Sequence, residues 1–150
     1  MNEKISPLGK YKGLLTFTIA GLNFCADMAD IVEIINPLEI NQDDNINSSE
    51  PHINLGILKI DLIDLYKVYG LEKNSPTEDE RIIVMEINNK FCGFLVDKVF
   101  NIYNLDSELK SEFKFTSCER IIHLKGILKY KGDNLFLLNS FGMISELLKH

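Results

Sequence analysis

The sequence has few of the features that mark nucleic-acid-binding, secreted or membrane-spanning proteins. Only two of its 16 basic residues are arginine, and 22 acidic residues give a formal net charge of −6. A phosphate-rich surface requires clustered cations, so nucleic acids and anionic membranes are not expected partners. No apolar run approaches the ~20 residues of a transmembrane helix, and the first residues lack the apolar stretch of a signal peptide. We therefore expect a cytoplasmic protein with no membrane insertion.

Cysteine is also sparse, with three residues at wide spacing. Cys25 and Cys92 stand inside apolar runs, where a thiol acts as a small hydrophobic group, so we expect a reducing compartment and no disulfide framework. The three histidines do not form the paired short intervals of a zinc site. The sequence contains no glycine-rich phosphate loop and no nucleophile elbow. These absences predict a protein that is not an enzyme and that binds no metal and no cofactor.

Cys118 and His123 are the one pair of residues that could support nucleophilic chemistry. A thiol nucleophile needs an imidazole base within hydrogen-bond reach, and a loop cysteine just before a predicted strand could provide that geometry. No third group that would orient the imidazole can be identified. A small thiol enzyme is therefore the alternative to a purely structural role for both residues.

Short strands with turn residues between them dominate the chain, without the β–helix–β alternation of a parallel sheet. This pattern predicts an all-β fold, built as an antiparallel sandwich or barrel. A short helix is predicted to stop at Gly70, and a last helix is predicted to begin at Ser140, whose hydroxyl is a candidate N-cap. Residues 1–13 are predicted to be a flexible arm, and residues 14–150 a folded domain. Strands are predicted at 14–20, 24–25, 30–35, 53–60, 81–87, 91–96, 121–130 and 135–139.

The chain contains a weak internal repeat. The run Phe24–Ile35 aligns with Phe91–Ile102 at five identities in twelve positions, and G-I-L-K at 56–59 recurs at 126–129. The two matches have the same order and nearly the same offset, which predicts two similar halves. Chance similarity in a chain rich in Leu, Ile and Lys is the alternative. Two such halves would pack together and leave a groove where they meet.

Glu33 is a charged residue inside an apolar predicted strand, I-V-E-I-I. In an extended strand, Ile31 and Ile35 would share its face, and Val32 and Ile34 would take the other. The carboxylate is therefore either a solvent-facing edge position or part of a mixed apolar and charged contact surface.

Four segments taken in order resemble the CheW family of chemotaxis coupling proteins and the CheW-like domains of the histidine kinase CheA. L-T-F-T-I-A-G-L-N-F-C-A-D-M-A-D-I-V-E-I is similar to the family's F-x-F-x-L and Y-G-I-D-I-x-x-V-x-E-I stretches, with Glu33 on the family's Glu. The other three are I-N-L with D-L-I-D-L and Y-G-L, R-I-I-V-M with F-C-G-F-L-V-D-K-V, and G-I-L with L-F-L-L-N. The resemblance extends from about Leu14 to Leu148.

The resemblance implies two five-stranded SH3-like β-barrel subdomains packed side by side, with short helices that include a C-terminal one. It also implies a non-enzymatic adaptor in bacterial chemotaxis. Its expected partners are the signalling tip of a chemoreceptor, held in the groove between the barrels, and the regulatory domain of a CheA-type histidine kinase, held at a barrel end. An apolar groove with a few charges suits a helical receptor tip. The residues that we expect to bind partners are Ile31, Glu33, Ile35, Leu55, Ile57 and Lys59, together with Asp97 and Val99 in the inter-barrel groove.

The chain departs from the family at one motif. The family's N-L-R-G is replaced by Asn54-Leu55-Gly56, so its arginine is missing. In the family this arginine is expected beside the equivalent of Glu33, and Lys59 would be a poor geometric substitute for it. The departure leaves open a second interpretation, a divergent CheW-like scaffold for another motility or polarity pathway (twitching, gliding or GTPase-linked) with a different protein partner.

Overall fold

The computed structural model describes residues 8–40, 51–118, 120–121 and 123–147, which form strands and three short α-helices. The helices are α1 (Leu65–Val68), α2 (Ser107–Glu112) and α3 (Ser140–Leu147). The strands are β1 (Gly13–Ile19), β2 (Leu22–Asp27), β3 (Ile31–Ile35), β4 (His52–Leu55), β5 (Leu58–Ile63), β6 (Arg81–Ile87), β7 (Lys90–Val96), β8 (Lys98–Asn104), β9 (Lys114–Ser117), β10 (Leu124–Tyr130) and β11 (Asp133–Leu138).

The strands form two sheets, which confirms the predicted all-β, two-subdomain fold. One sheet, here sheet A, has six strands in the order β8-β1-β2-β11-β10-β9, and the other, sheet B, has five in the order β3-β6-β7-β5-β4. Neighbouring strands are antiparallel except for the β11–β2 and β5–β7 pairs, which are parallel. The additional strand of sheet A is β9, which pairs with β10 at the edge of the sheet.

Each half of the chain is divided between the two sheets. β1 and β2 belong to sheet A, whereas β3, which pairs with β6, and the following β4 and β5 belong to sheet B. β6 and β7 belong to sheet B, whereas β8, which pairs with β1, and the following β9 to β11 belong to sheet A. We call β3 and β8, the strands at which the chain crosses from one sheet to the other, the exchanged strands. The two subdomains are therefore intertwined, and neither sheet is complete without strands from both halves.

The strand registers show that the predicted repeat is real at the level of the fold. β1, β2 and β3 correspond to β6, β7 and β8, and their pairings agree position by position: Phe17 lies opposite Val99, as Met85 lies opposite Ile31. The sequence alignment was one residue out of register, because this correspondence places Ile31 with Val99. The second match was wrong, since Gly56 lies in a turn whereas Gly126 lies inside β10.

Both exchanged strands carry a bulge at the same point. In β3, Ile31 pairs with Met85 and Glu33 with Val84, so Val32 has no opposite residue. In β8, Phe100 is skipped in the same way. Both bulged side chains are exposed, Val32 by 52% and Phe100 by 40%. A bulge adds a residue without a ladder partner, which moves the residues before it to the other face of the strand.

Three hydrophobic clusters hold the sheets together. The central cluster draws on both sheets, with Leu15 and Phe17 of β1 packed in the same cluster as Ile83 and Met85 of β6. The other two clusters lie within single sheets. The cluster of sheet A includes Leu14, Leu128 and Leu135, and the cluster of sheet B includes Ile53, Ile60 and Ile82. β1 and β6 are thus buried on both faces, and burial of aliphatic side chains at about 25 cal/mol per Å² is the main stabilising contribution.

Part of the segment predicted to be a flexible arm packs against sheet A. Leu8 and Tyr11 are 1% and 7% exposed and belong to the sheet A cluster, so the folded body begins before residue 14. Residues 1–7 lie outside the described residues. Apolar side chains at these two positions are enough to anchor a segment that is otherwise polar.

Equivalent residues cap α1 and α3, the helices that follow β5 and β11. The side chain of Asp64 accepts a hydrogen bond from the Lys67 amide at 3.1 Å, and that of Asn139 accepts one from the Gly142 amide at 3.1 Å. Asn139, rather than the predicted Ser140, is therefore the cap of α3. α1 ends as predicted, with Gly70 in a left-handed conformation at φ +65°.

Two predicted segments differ from the structure. The single strand predicted at 53–60 is a hairpin, because Gly56 adopts φ +61° and turns the chain between β4 and β5. The polar stretch after Asn104 contains α2 and β9, whose exposure leaves no apolar alternation to detect.

Among the described residues, no helix is long and apolar enough to cross a membrane.

We expect Gly126→Ala to destabilise the protein more than Gly93→Ala. A Cβ atom at Gly126 would overlap the carbonyl oxygen of Thr116 and lie 2.7 Å from Cζ of Phe115, so β9 would have to move. At Gly93 the nearest atom is a terminal methyl of Leu62 at 2.9 Å, which can rotate away.

Overpacking of this kind costs about 1–3 kcal/mol. We expect that loss for Gly126→Ala and less than about 1 kcal/mol for the matched variant, both measured by urea unfolding. Equal losses in the two variants would contradict the tight approach of β9 to β10.

Candidate partner-binding groove

A groove of about 220 Å³ opens between β3 and β4, which are the two edge strands of sheet B. Its floor is apolar: Ile53 is 1% exposed, and Ile35, Ile40 and Leu55 pack against the same cluster. Its full lining is Glu33, Ile35, Glu39, Ile40, Ile53, Asn54 and Leu55. The groove thus combines an apolar floor with two carboxylate side chains, those of Glu33 and Glu39, in its lining.

The rim of the groove is acidic. Glu33 and Glu39 are both exposed, and neither makes an ion pair within the described residues. The ion pair that the described residues do contain, Lys73 with Glu80 at 2.7 Å, lies outside the groove lining. Lys59 pairs with Asn54 across the β4–β5 hairpin but makes no ion pair with Glu33. The rim therefore presents uncompensated negative charge to any partner.

The bulge in β3 decides which predicted residues face the groove. Glu33 and Ile35 lie opposite Val84 and Ile82, which both belong to the sheet B cluster, so these two side chains share the groove face. Ile31 precedes the bulge and packs against the central cluster instead. The prediction that Ile31, Glu33 and Ile35 share one face is thus wrong for Ile31. A bulge has no signature in the apolar pattern of this strand.

The remaining predicted residues lie at different places. Leu55 lines the groove, while Ile57 is at the tip of the β4–β5 hairpin and is fully exposed. Lys59 is exposed on β5, next to that tip. Asp97 and Val99 lie at the junction of the sheets, away from the groove. Sequence reasoning missed Glu39, Ile40, Ile53 and Asn54. Nothing in the sequence shows that the single turn of 3₁₀ helix at Pro37–Glu39 brings Glu39 and Ile40 close to β4.

Asp97 connects the two sheets. Its carboxylate accepts hydrogen bonds from the Tyr66 hydroxyl and from the Gly21 amide, the latter at 3.0 Å, and its own amide donates to Thr18 at 2.9 Å. Val99 packs at the margin of the central cluster opposite Phe17. The contacts of Asp97 indicate a structural role at the sheet junction.

The hypothesis of a thiol enzyme gains no support from the geometry. Cys118 is half-buried, its amide donates to the Lys125 carbonyl at 3.3 Å, and no hydrogen bond joins its thiol to another described side chain. Burial raises the pKa of the Cys92 thiol to about 12 and that of Cys25 as well, which keeps both protonated at neutral pH. No group of three or more metal-ligating residues occurs in the part of the chain that is described.

The arrangement of the sheets is similar to that of a solved structure. The chain matches the scaffolding protein TtCheW from Thermoanaerobacter tengcongensis with a TM-score of 0.68 and 23% identity, over 85% of this chain and 88% of that one. A CheW-like domain model matches residues 13–148. The chain belongs to the CheW-like domain family. The family match includes both sheets and all of the groove residues. A comparison with curated proteins found no match.

We expect Tyr66→Phe to reduce the loss of stability of this CheW-like domain at alkaline pH. Burial and the hydrogen bond to Asp97 both raise the pKa of Tyr66 in the folded protein. The unfolded chain therefore loses this proton first, and the stabilisation is present below about pH 10 and is lost as the pH rises above it.

Thermal unfolding between pH 8 and pH 11 measures this effect. The variant is expected to lose about 1–2 kcal/mol at pH 8, since a buried hydrogen bond is removed, and to show a shallower decline toward pH 11. Tyr130→Phe is the control, because the Tyr130 hydroxyl makes no hydrogen bond within the described residues. Identical pH profiles for wild type and Tyr66→Phe would refute the assignment.

Proposed function

We propose that this CheW-like protein is a non-enzymatic, cytoplasmic adaptor of bacterial chemotaxis that couples a chemoreceptor to a CheA-type histidine kinase. The observation that carries the proposal is the family match over residues 13–148, which includes both intertwined sheets. That TtCheW is a scaffolding protein is consistent with it. The acidic groove and the absence of a metal-ligating cluster among the described residues suit binding rather than catalysis.

We assign the kinase regulatory domain to the end of sheet B. Glu33, Ile35 and Leu55 surround the groove there, and Ile57 projects from the adjoining hairpin with its entire side chain exposed. An exposed isoleucine at a hairpin tip gains little inside its own domain and can bury apolar surface against a partner. Lys59 adds a charge beside this tip. Together these residues provide an apolar centre with a polar margin, as protein interfaces commonly have.

We assign the receptor tip to the junction between the sheets. Ile31 and Val99 occupy equivalent positions on the two exchanged strands, and both lie at the margin of the central cluster. The bulged residues next to them, Val32 and Phe100, are exposed. The junction thus offers matching apolar side chains from both halves, which suits the apolar ridges of a helical hairpin.

Calorimetric titration with a CheA regulatory domain and with a receptor-tip fragment tests the coupling function. Saturable binding of both at tens of micromolar or tighter is the expected result, which corresponds to roughly −6 kcal/mol or better. If neither partner binds while the protein remains folded, ordinary coupling is wrong.

We expect Glu33→Lys to weaken kinase binding about tenfold and to leave receptor binding unchanged, because it reverses the charge on the groove rim alone. The unfolding free energy should change by less than about 0.5 kcal/mol, as is usual for exposed positions. Glu112→Lys is the matched control, since it reverses an equally exposed charge on α2 and should alter neither affinity. A large fall in melting temperature for Glu33→Lys would instead show that Glu33 is structural.

A divergent scaffold for another motility or polarity pathway is the second candidate. It is favoured by one observation: Glu33 has no ion pair within the described residues, and the motif arginine that would provide one is absent from Asn54-Leu55-Gly56. Under this alternative, neither the kinase domain nor the receptor fragment binds. Affinity capture from the native lysate then recovers a different partner, and Glu33→Lys prevents its capture.

A further inference from the structure

The position of the groove in sheet B has an equivalent position in sheet A. Ile35 pairs with Ile82 on β6, as Tyr103 pairs with the corresponding Leu14 on β1. Leu55 is the last residue before a two-residue hairpin turn, as Tyr130 is in the β10–β11 hairpin. The internal repeat therefore shows what can occupy this position when it is filled.

In sheet A, an aromatic side chain fills the position. Phe113, at the end of α2, stacks on Tyr130 with ring centroids 4.3 Å apart and packs edge-on against Tyr103 at 5.7 Å. Phe113 is only 7% exposed there. Lys114 follows it and begins β9, which pairs with β10. The segment that contains Phe113 thus covers this end of sheet A, and the ring of Phe113 fills the position between the two tyrosines.

In sheet B, the described residues that line the same position include no aromatic residue. Aliphatic Ile35 and Leu55 replace the two tyrosines, and a groove of about 220 Å³ lies beside them. A phenyl ring would fit, since an apolar cavity of about 150 Å³ accommodates benzene. Residues 41–50, which lie between β3 and β4 in the sequence, are polar except for Ile46 and include no aromatic residue.

The charges at the two positions differ. Asn101 of β8 corresponds to Glu33 of β3, because they lie opposite Thr16 and Val84 in equivalent registers. The sheet B groove therefore has an acidic rim, from Glu33 and Glu39, that its counterpart lacks at this position. A cation next to the inserted ring would be attracted to this rim.

We propose that the sheet B groove receives an aromatic side chain from the partner protein, with a lysine or arginine next to it in the partner sequence that faces Glu33 and Glu39. The identity of the partner rests on the proposed adaptor function. The chemistry of the partner segment that enters the groove does not depend on that function. The proposal assigns the groove a specificity for an aromatic–basic pair, of which Phe113-Lys114 is the example within this chain.

A peptide copied from residues 110–117, K-S-E-F-K-F-T-S with blocked ends, is the probe, titrated into the isotopically labelled full chain and followed by NMR. Saturable shifts are expected at the amides of Ile35, Ile53 and Leu55, and not at Tyr103 or Tyr130. A peptide with Phe113→Ala should bind at least about tenfold more weakly, and one with Lys114→Glu should also lose affinity. Glu33→Lys in the protein should weaken the native peptide and not the Lys114→Glu peptide.

No saturable shift up to about 1 mM peptide, or shifts at the sheet A position instead, would overturn the proposal. Self-association of the free protein through Leu55, measured by sedimentation, would identify a second copy as the occupant and would overturn it as well. Kinase binding that survives Leu55→Asp and Glu33→Lys refutes the groove assignment but not the adaptor function. Peptide binding without kinase or receptor binding refutes the adaptor function but not the groove assignment.

Discussion

The rest of the structure depends on the central hydrophobic cluster that both sheets share. β1 and β6 are buried on both faces, because each contributes to its own sheet's cluster on one side and to the shared cluster on the other. A domain of 150 residues divided into two separate barrels would have two small cores, each with a high ratio of surface to volume. The shared cluster and the exchange of β3 and β8 combine them into one cooperative unit. The candidate binding surfaces all lie on the two sheets that this cluster joins.

The repeat allows the two ends of the molecule to be compared position by position. Pairing registers, bulges and helix caps agree between the halves, so the two backbones offer the same position at each end. Aromatic residues close one end from within, through Phe113, Tyr103 and Tyr130. Aliphatic and acidic residues leave the other with a groove. Among the described residues, this difference lies in the side chains rather than in the pairing of the strands.

The sequence predicts the features that are encoded locally. Alternating apolar residues located β1, and the strands predicted at 81–87 and 91–96 correspond to β6 and β7, which Asn88 and Asn89 join with both residues at positive φ. The bulge at Val32 could not be predicted, because it arises from pairing with β6 and changes no local pattern. β9 was missed because its four residues are all exposed. In the groove, Glu33, Ile35 and Leu55 were identified, whereas Glu39 and Ile40 depend on a turn after Pro37 that only the tertiary fold specifies.

The division of each half between two sheets bears on the origin of this fold. A single ancestral half with this connectivity could not pair its first two strands with its later strands in one sheet, so each group would pair with strands of another molecule. Such an ancestor would be a homodimer with swapped strands, a common and inexpensive route to association. Fusion of two copies in one gene would then have preserved the exchange and freed each half to diverge, which is how one end could retain an open groove while the other became closed.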